Sequence, residues 1–141
     1  MTDRLSRLLS QRDWLLADGA TGTNLFNMGL MSGDAPEMWN VDEPAKIRAL
    51  YDGAVNSGSD IFLTNSFGGN ASRLKLHNAQ HRVAELNKAA AEIAREAADA
   101  SGRDIVVAGS LGPTGELLVP VGPLTHASAV EMFEEAGAAL L

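Results

Sequence analysis

Three apolar runs in this chain each end in small polar residues and glycine: Trp14-Leu-Leu-Ala-Asp18-Gly-Ala-Thr-Gly22, Asp60-Ile-Phe-Leu-Thr-Asn65-Ser-Phe-Gly-Gly69, and Asp104-Ile-Val-Val-Ala-Gly109-Ser-Leu-Gly-Pro-Thr-Gly115. A helical pattern follows each of the last two. This is strand, loop and helix in repetition. It puts polar side chains at the carboxyl ends of the strands, where parallel α/β proteins place their chemistry. The chain stops at Leu141, inside the third helical pattern.

The runs define the elements. Leu15 to Asp18 is expected as a short first strand, followed by a long connection over residues 19–43. Pro44 opens a helix, where its missing N–H costs nothing. Ile47, Leu50, Tyr51, Ala54 and Val55 recur at helical spacing, and Gly58 suits the helix end. Asp60 to Ser66 is the second strand, apolar on both faces as a helix-covered sheet requires. A helical stretch from Asn70 to Ser101 follows, broken near His77 to Gln80 and closed by Gly102. Val83, Leu86, Ala90, Ile93 and Ala97 are its buried stripe. Ile105 to Ala108 is the third strand, also expected to be buried on both faces. Thr125 is the expected N-cap of a last helix from His126 onward.

Bulk properties narrow the class. With 141 residues, 45% of them hydrophobic and 21% charged, the chain can bury a core. The net charge of −7, from 18 acidic and 11 basic residues, argues against a nucleic-acid partner. No apolar run approaches the roughly 20 residues of a bilayer span, so no membrane partner is expected. Met1 to Asp13 lacks the apolar stretch of a secretory signal. Its Leu5, Leu8 and Leu9 are spaced for a short amphipathic helix. The expected location is cytoplasmic. Cysteine is absent, so neither a disulfide nor a thiolate metal site can form from these residues.

Parallel strands joined by helices make an open sheet or a closed barrel. The first turn, Asp18-Gly-Ala-Thr-Gly-Thr23, lacks the Gly-x-Gly-x-x-Gly of a dinucleotide fold, and no Gly-Lys-Ser/Thr is present. A barrel carrying polar residues on every strand end fits better.

Four stretches resemble the homocysteine S-methyltransferase family, which includes betaine–homocysteine methyltransferases and the homocysteine module of cobalamin-dependent methionine synthase. They are Leu16-Ala-Asp-Gly-Ala-Thr-Gly-Thr-Asn-Leu25, Pro36-Glu-Met-Trp-Asn40, Gly58-Ser-Asp-Ile-Phe-Leu-Thr-Asn-Ser-Phe-Gly-Gly69 and Ala108-Gly-Ser-Leu-Gly-Pro-Thr-Gly-Glu116. The resemblance implies an α/β fold: the amino-terminal part, about three β/α units, of a TIM (β/α)8 barrel, a fold of about 250 residues. Residues 1–141 are then a partial homocysteine-binding barrel domain, truncated before the fourth strand. The implied activity is methyl transfer to the homocysteine sulfur, forming methionine. A thiol reacts as its thiolate, and its ordinary pKa of about 8.5 leaves it mostly protonated. The family ionises the sulfur on zinc held by three cysteines. With no cysteine here, the zinc ligands are absent from this chain, and no residue is assigned a catalytic or metal-binding role.

The resemblance implies partners of two kinds, homocysteine and a small-molecule or cobalamin-borne methyl donor. Betaine is the favoured donor on overall resemblance. The tyrosine that betaine enzymes place after the second strand is replaced, however, by Phe67-Gly-Gly69. Homo-oligomerisation is left open. The rival to an enzyme is a non-catalytic truncated half-barrel or fragmentary gene product.

Four residues are implied in substrate binding: Asp18, Gly19, Trp39 and Asn65. Asp18 reads from its position either as a turn aspartate or as a carboxylate for the substrate ammonium, and the resemblance favours the second. Gly19, like Gly22, reads as a positive-φ turn glycine or as a point of close ligand approach. Trp39 is a core residue or an aromatic wall for a quaternary ammonium. Asn65 ties loops together or lines the pocket, and Thr64 beside it fits a structural tie. His77 and His81 are spaced i, i+4, but without a following Glu they read as a solvated face.

Overall fold

The computed structural model describes residues 3–141; Met1 and Thr2, the first residues of the segment read as lacking a secretory signal, lie outside it. The first helix, α1 (Arg4–Gln11), is capped by Asp3, whose side chain accepts from Ser6 N. The expected leucine stripe is only partly realised. Leu8 is buried, whereas Leu5 and Leu9 are exposed. Arg4 and Arg7 also pair with Asp104, and Arg4 donates to the Ile105 carbonyl at 2.8 Å.

The sheet has two parallel strands, β1 (Ile61–Leu63) and β2 (Val106–Ala108), aligned Ile61 with Val106 and Leu63 with Ala108. The expected first strand is reduced to one parallel bridge between Ala17 and Ile61. Asp60 N and Ile61 N donate to Leu16 O, and Asp18 N donates to Ile61 O. The ladder stops there because the chain turns away. Ala20 takes a left-handed conformation (φ 55°) and opens α2 (Thr21–Asn27). The three apolar runs therefore lie side by side in chain order, all parallel, with β1 central.

Helices cover one face of this sheet. α4 (Pro44–Asn56) and α6 (Val83–Ala100) pack on each other and on the strands. Phe62, Ile105, Ile47, Tyr51, Leu25, Ala94 and Ala98 form the main core. The Tyr51 and Phe62 rings stack at 5.1 Å. The two-sided burial expected of both strands is not found. Leu63 is 41% exposed, and Val106 and Ala108 are half-buried. Alternation explains this: Phe62 and Val107 point to the helices, while their neighbours point to a face that no described element covers. A second cluster of Leu74, Val83, Leu86 and Ala136 joins α5 (Ala71–Lys75), α6 and α7 (His126–Leu140).

The helix ends follow the sequence. Pro44 is the first residue of α4, and Gly58 beyond its end has φ 92°. Thr125 caps α7 by accepting from Ser128 N, a contact worth about 1 kcal/mol. The break at His77–Gln80 separates α5 from a 3-10 turn over Gln80–Arg82. The 19–43 connection is more ordered than expected. Besides α2 it holds a 3-10 turn at Pro36–Met38 and α3 (Trp39–Asp42).

Beneath the strands, Asp60 is a buried anchor. Its carboxylate accepts from Leu16 N at 2.9 Å and pairs with Arg12 at 2.9 Å and Arg103 at 3.2 Å. Arg103 also donates to the carbonyls of Val55 and Gly58, tying the end of α4 to the sheet. These hydrogen bonds, that from Leu16 foremost, hold the Asp60 carboxyl below its ordinary value.

Candidate functional site

A cavity of about 470 Å³ opens at the carboxyl ends of the three runs. It collects residues from every polar loop of the sequence pattern: Asp18 and Gly19 after the first run, Thr64 to Gly68 after β1, and Ser110 after β2. Asp34 to Glu37 and residues Arg73, Leu74 and His77 complete its wall.

The loops are fixed by hydroxyls with an unambiguous proton order. Ser110 N donates to Thr64 Oγ1 at 3.0 Å, and Ser66 Oγ donates to Ser110 O at 2.8 Å. Thr64 Oγ1 and Ser66 Oγ lie 2.6 Å apart. Since the Ser66 proton is committed to Ser110, Thr64 is the donor in that contact. Thr64 thus locks the β1 loop to the β2 loop.

Asn65 is buried beside it. Its backbone N–H donates to Tyr51 Oη at 2.7 Å. Its Nδ2 donates to Pro36 O and to Asn40 Oδ1, both at 2.9 Å. Both amide protons are therefore spent on the scaffold. Oδ1 accepts nothing from the described residues and borders the cavity. Burial, with the Asp18 charge as a lesser contribution, raises the Tyr51 hydroxyl far above its ordinary value, so it stays a neutral donor and acceptor.

Asp18 has the most unusual environment. Its Oδ2 accepts a long bond, 3.3 Å, from Leu63 N. Its Oδ1 is buried and has no partner among the described residues. Burial raises the carboxyl above its ordinary value, although the Leu63 N–H pulls the other way. A buried acceptor without a donor is costly unless something supplies one.

Glu37 was not singled out from the sequence, although the Pro36–Asn40 stretch containing it was. It is 5% exposed, and its Oε1 accepts from Gly68 N at 2.7 Å. Its Oε2 accepts nothing from the described residues. A Cβ on Gly68 would come within 2.9 Å of that carboxylate, so a side chain there would displace Glu37.

The other candidates are placed as follows. Gly19 lies at the cavity, and a Cβ there would meet no atom within 4 Å. Neither Gly19 nor Gly22 has positive φ, contrary to expectation; the left-handed residue of that turn is Ala20, and Gly22 sits inside α2. Trp39 is not brought to the cavity with Asp18 and Asn65. It packs against the main core, and the Lys46 ammonium lies 4.3 Å from its ring centroid. Phe67 does line the cavity and is 61% exposed. His77 and His81 are both exposed, on separate elements.

A zinc centre does not fit these residues. The chain has no cysteine, and no group of three or more His, Asp or Glu among the described residues could hold a metal.

A parallel α/β unit with its polar cavity at the strand carboxyl ends is the class that fold and site define. Comparison with known proteins then gives the family. The homocysteine S-methyltransferase family model matches residues 15–141, and the chain belongs to that family. Methionine synthase of Mycobacterium tuberculosis is 32% identical over 149 residues, covering 99% of this chain and 12% of that protein. The Mycobacterium leprae methionine synthase is 27% identical over 97% of the chain and 12% of its own length. The metallated form of the homocysteine methyltransferase MmuM from Escherichia coli superposes with a TM-score of 0.73 at 26% identity, over 96% of this chain and 55% of that one. Its oxidized form gives 0.70 at 28% identity, over 81% and 42%. The chain thus spans about an eighth of the curated relatives it matches and about half of the solved ones. No helix among the described residues is long and apolar enough to cross a membrane.

Proposed function

We propose that this chain forms the homocysteine-binding wall of an S-methyltransferase site, built on the first three β/α units of a TIM barrel. The observation that carries this reading is Asp18, a half-buried carboxylate lining a strand-end cavity, whose Oδ1 has no partner among the described residues. An α-ammonium group supplies the missing donor and the balancing charge. In this reading Asn65 and Gly19, which line the same cavity, complete the amino-acid site. The reaction joins the homocysteine sulfur to a methyl carbon and breaks that carbon's bond to the donor, giving methionine. No residue of this chain is assigned to ionising the thiol.

The donor is a methylated small molecule or a cobalamin-borne methyl group. Trp39 is engaged by Lys46 and lies away from the cavity, so an aromatic cage for betaine gains no support from it. In this reading the sheet face that carries the exposed Leu63 turns toward the barrel interior.

Calorimetric titration of the chain with L-homocysteine tests the reading. Binding that is lost on Asp18→Asn, while Asp34→Asn has little effect, supports it. Binding unaffected by Asp18→Asn contradicts it.

A further inference from the structure

The cavity is bipolar. Asp18 and Glu37 bring two carboxylates to it, each with an oxygen that accepts nothing from the described residues. Arg73 brings a guanidinium to the same cavity. In a chain of net charge −7, most arginines are paired: Arg4, Arg7, Arg12, Arg48, Arg82, Arg95 and Arg103 all form ion pairs. Arg73 forms none among the described residues, and its side chain makes no hydrogen bond to them. The nearby acid in the wall, Asp34, instead accepts from Met31 N in its own turn.

Arg73 is exposed, and the β2 loop passes beside its guanidinium. A Cβ on Gly115 would lie 3.3 Å from Arg73 Nη1, so the β2 loop lies against the arginine there. Gly115 has φ 79°, a conformation that keeps a side chain out of that contact. At the base of Arg73, Asn70 Oδ1 accepts from its backbone N–H and starts α5. An exposed arginine that is unpaired and lines a cavity offers a fork to a carboxylate.

We infer that Arg73 is the anion-binding residue of the cavity, taking the carboxylate of a small zwitterion whose cationic group sits against Asp18 and Glu37. The inference rests on the proposed small-molecule site and adds to it a determinant of specificity. The carboxylate has two sources, the amino-acid substrate or a carboxylate-bearing onium methyl donor. Both present the same group to the same fork.

Two ligand pairs separate the sources: L-homocysteine against aminopropanethiol, which is homocysteine without its carboxylate, and glycine betaine against tetramethylammonium. Each is titrated into the wild-type chain, Arg73→Met and Arg73→Lys. The expected result is that Arg73→Met weakens the carboxylate-bearing member of one pair by about tenfold and leaves the other member unchanged. Arg73→Lys retains part of the affinity, since it keeps the charge without the fork. The pair that responds names the source. If homocysteine binding depends on Asp18 but neither pair responds to Arg73→Met, the Arg73 assignment alone is wrong. If the wild-type chain binds neither zwitterion, the site reading and the Arg73 assignment fall together.

Discussion

Asn65 and Asn40 hold each other reciprocally: Asn65 Nδ2 donates to Asn40 Oδ1 at 2.9 Å, and Asn40 Nδ2 donates to the Asn65 carbonyl at 2.8 Å. Asn40 also donates to Leu86 O at 3.1 Å. The pair ties the 19–43 connection, the β1 loop and α6 at one buried point beneath the cavity. Neither amide can flip without losing these contacts. Asn65→Asp removes both donors, to Pro36 O and Asn40 Oδ1, and sets an acceptor against an acceptor. The expected cost is about 2–4 kcal/mol of unfolding free energy, read by urea denaturation. A change below about 0.5 kcal/mol would show that the pair does not bear on the fold.

Asp18→Asn should separate function from stability. The raised carboxyl means that the folded state binds a proton more readily than the unfolded chain. The group's favourable contribution is present below its ordinary value of 3.8 and is lost as pH rises through the raised folded value. At neutral pH the charge is a burden, so the asparagine variant should melt no lower than the wild type while losing ligand. A marked fall in melting temperature would show that the carboxylate has a structural partner.

Asp60 should behave in the opposite sense. Its lowered folded value gives stability that is present above the ordinary carboxylate value of 3.8 and disappears as pH falls through the folded one. Thermal melts below pH 4 should therefore drop more steeply in the wild type than in Asp60→Asn. At neutral pH that variant should lose about 2 kcal/mol, because Arg12, Arg103 and Leu16 N lose a charged acceptor.

Two glycines of the strand-end loops should differ sharply. Alanine at Gly69 drives a Cβ into Asn87 Oδ1 and to 2.9 Å from the Ser66 carbonyl, which is backbone and cannot swing aside. That substitution should cost about 1–3 kcal/mol. Gly19→Ala meets nothing and should leave stability within about 0.5 kcal/mol, its effect confined to ligand affinity. Denaturation and titration of both variants distinguish the two roles.

Trp39→Leu should lower stability and leave homocysteine affinity unchanged, because the indole packs on the main core under Lys46 and away from the cavity. A loss of affinity at unchanged stability would return Trp39 to the binding wall.

What was legible in the sequence was whatever local chemistry decides. Pro44, Gly58, Thr125 and the break at His77–Gln80 mark helix boundaries through ring closure, positive φ and side-chain capping, and the structure keeps all of them. Non-local features were less so. The Leu15–Asp18 strand shrinks to a single bridge because the turn at Ala20 follows too soon. The apolar strands suggested burial on both faces, but only the Phe62 side has helices to cover it. Within the site, Asp18 and Asn65 stood out as polar residues ending apolar runs. Glu37 and Arg73 did not, since each lies at a turn or on a short helix and gains meaning only from the cavity it faces. A Pro-Glu pair that enters a one-turn helix, unpaired with any basic residue nearby in sequence, was the available hint for Glu37.

Titration of the Asp18 side-chain carboxyl by carbon NMR, with and without L-homocysteine, tests the central claim most directly. The account predicts a carboxyl titrating above its ordinary value in the free chain and shifting downward when the ligand ammonium binds beside it. An Asp18 titration curve that homocysteine leaves unmoved at saturating concentration would contradict it.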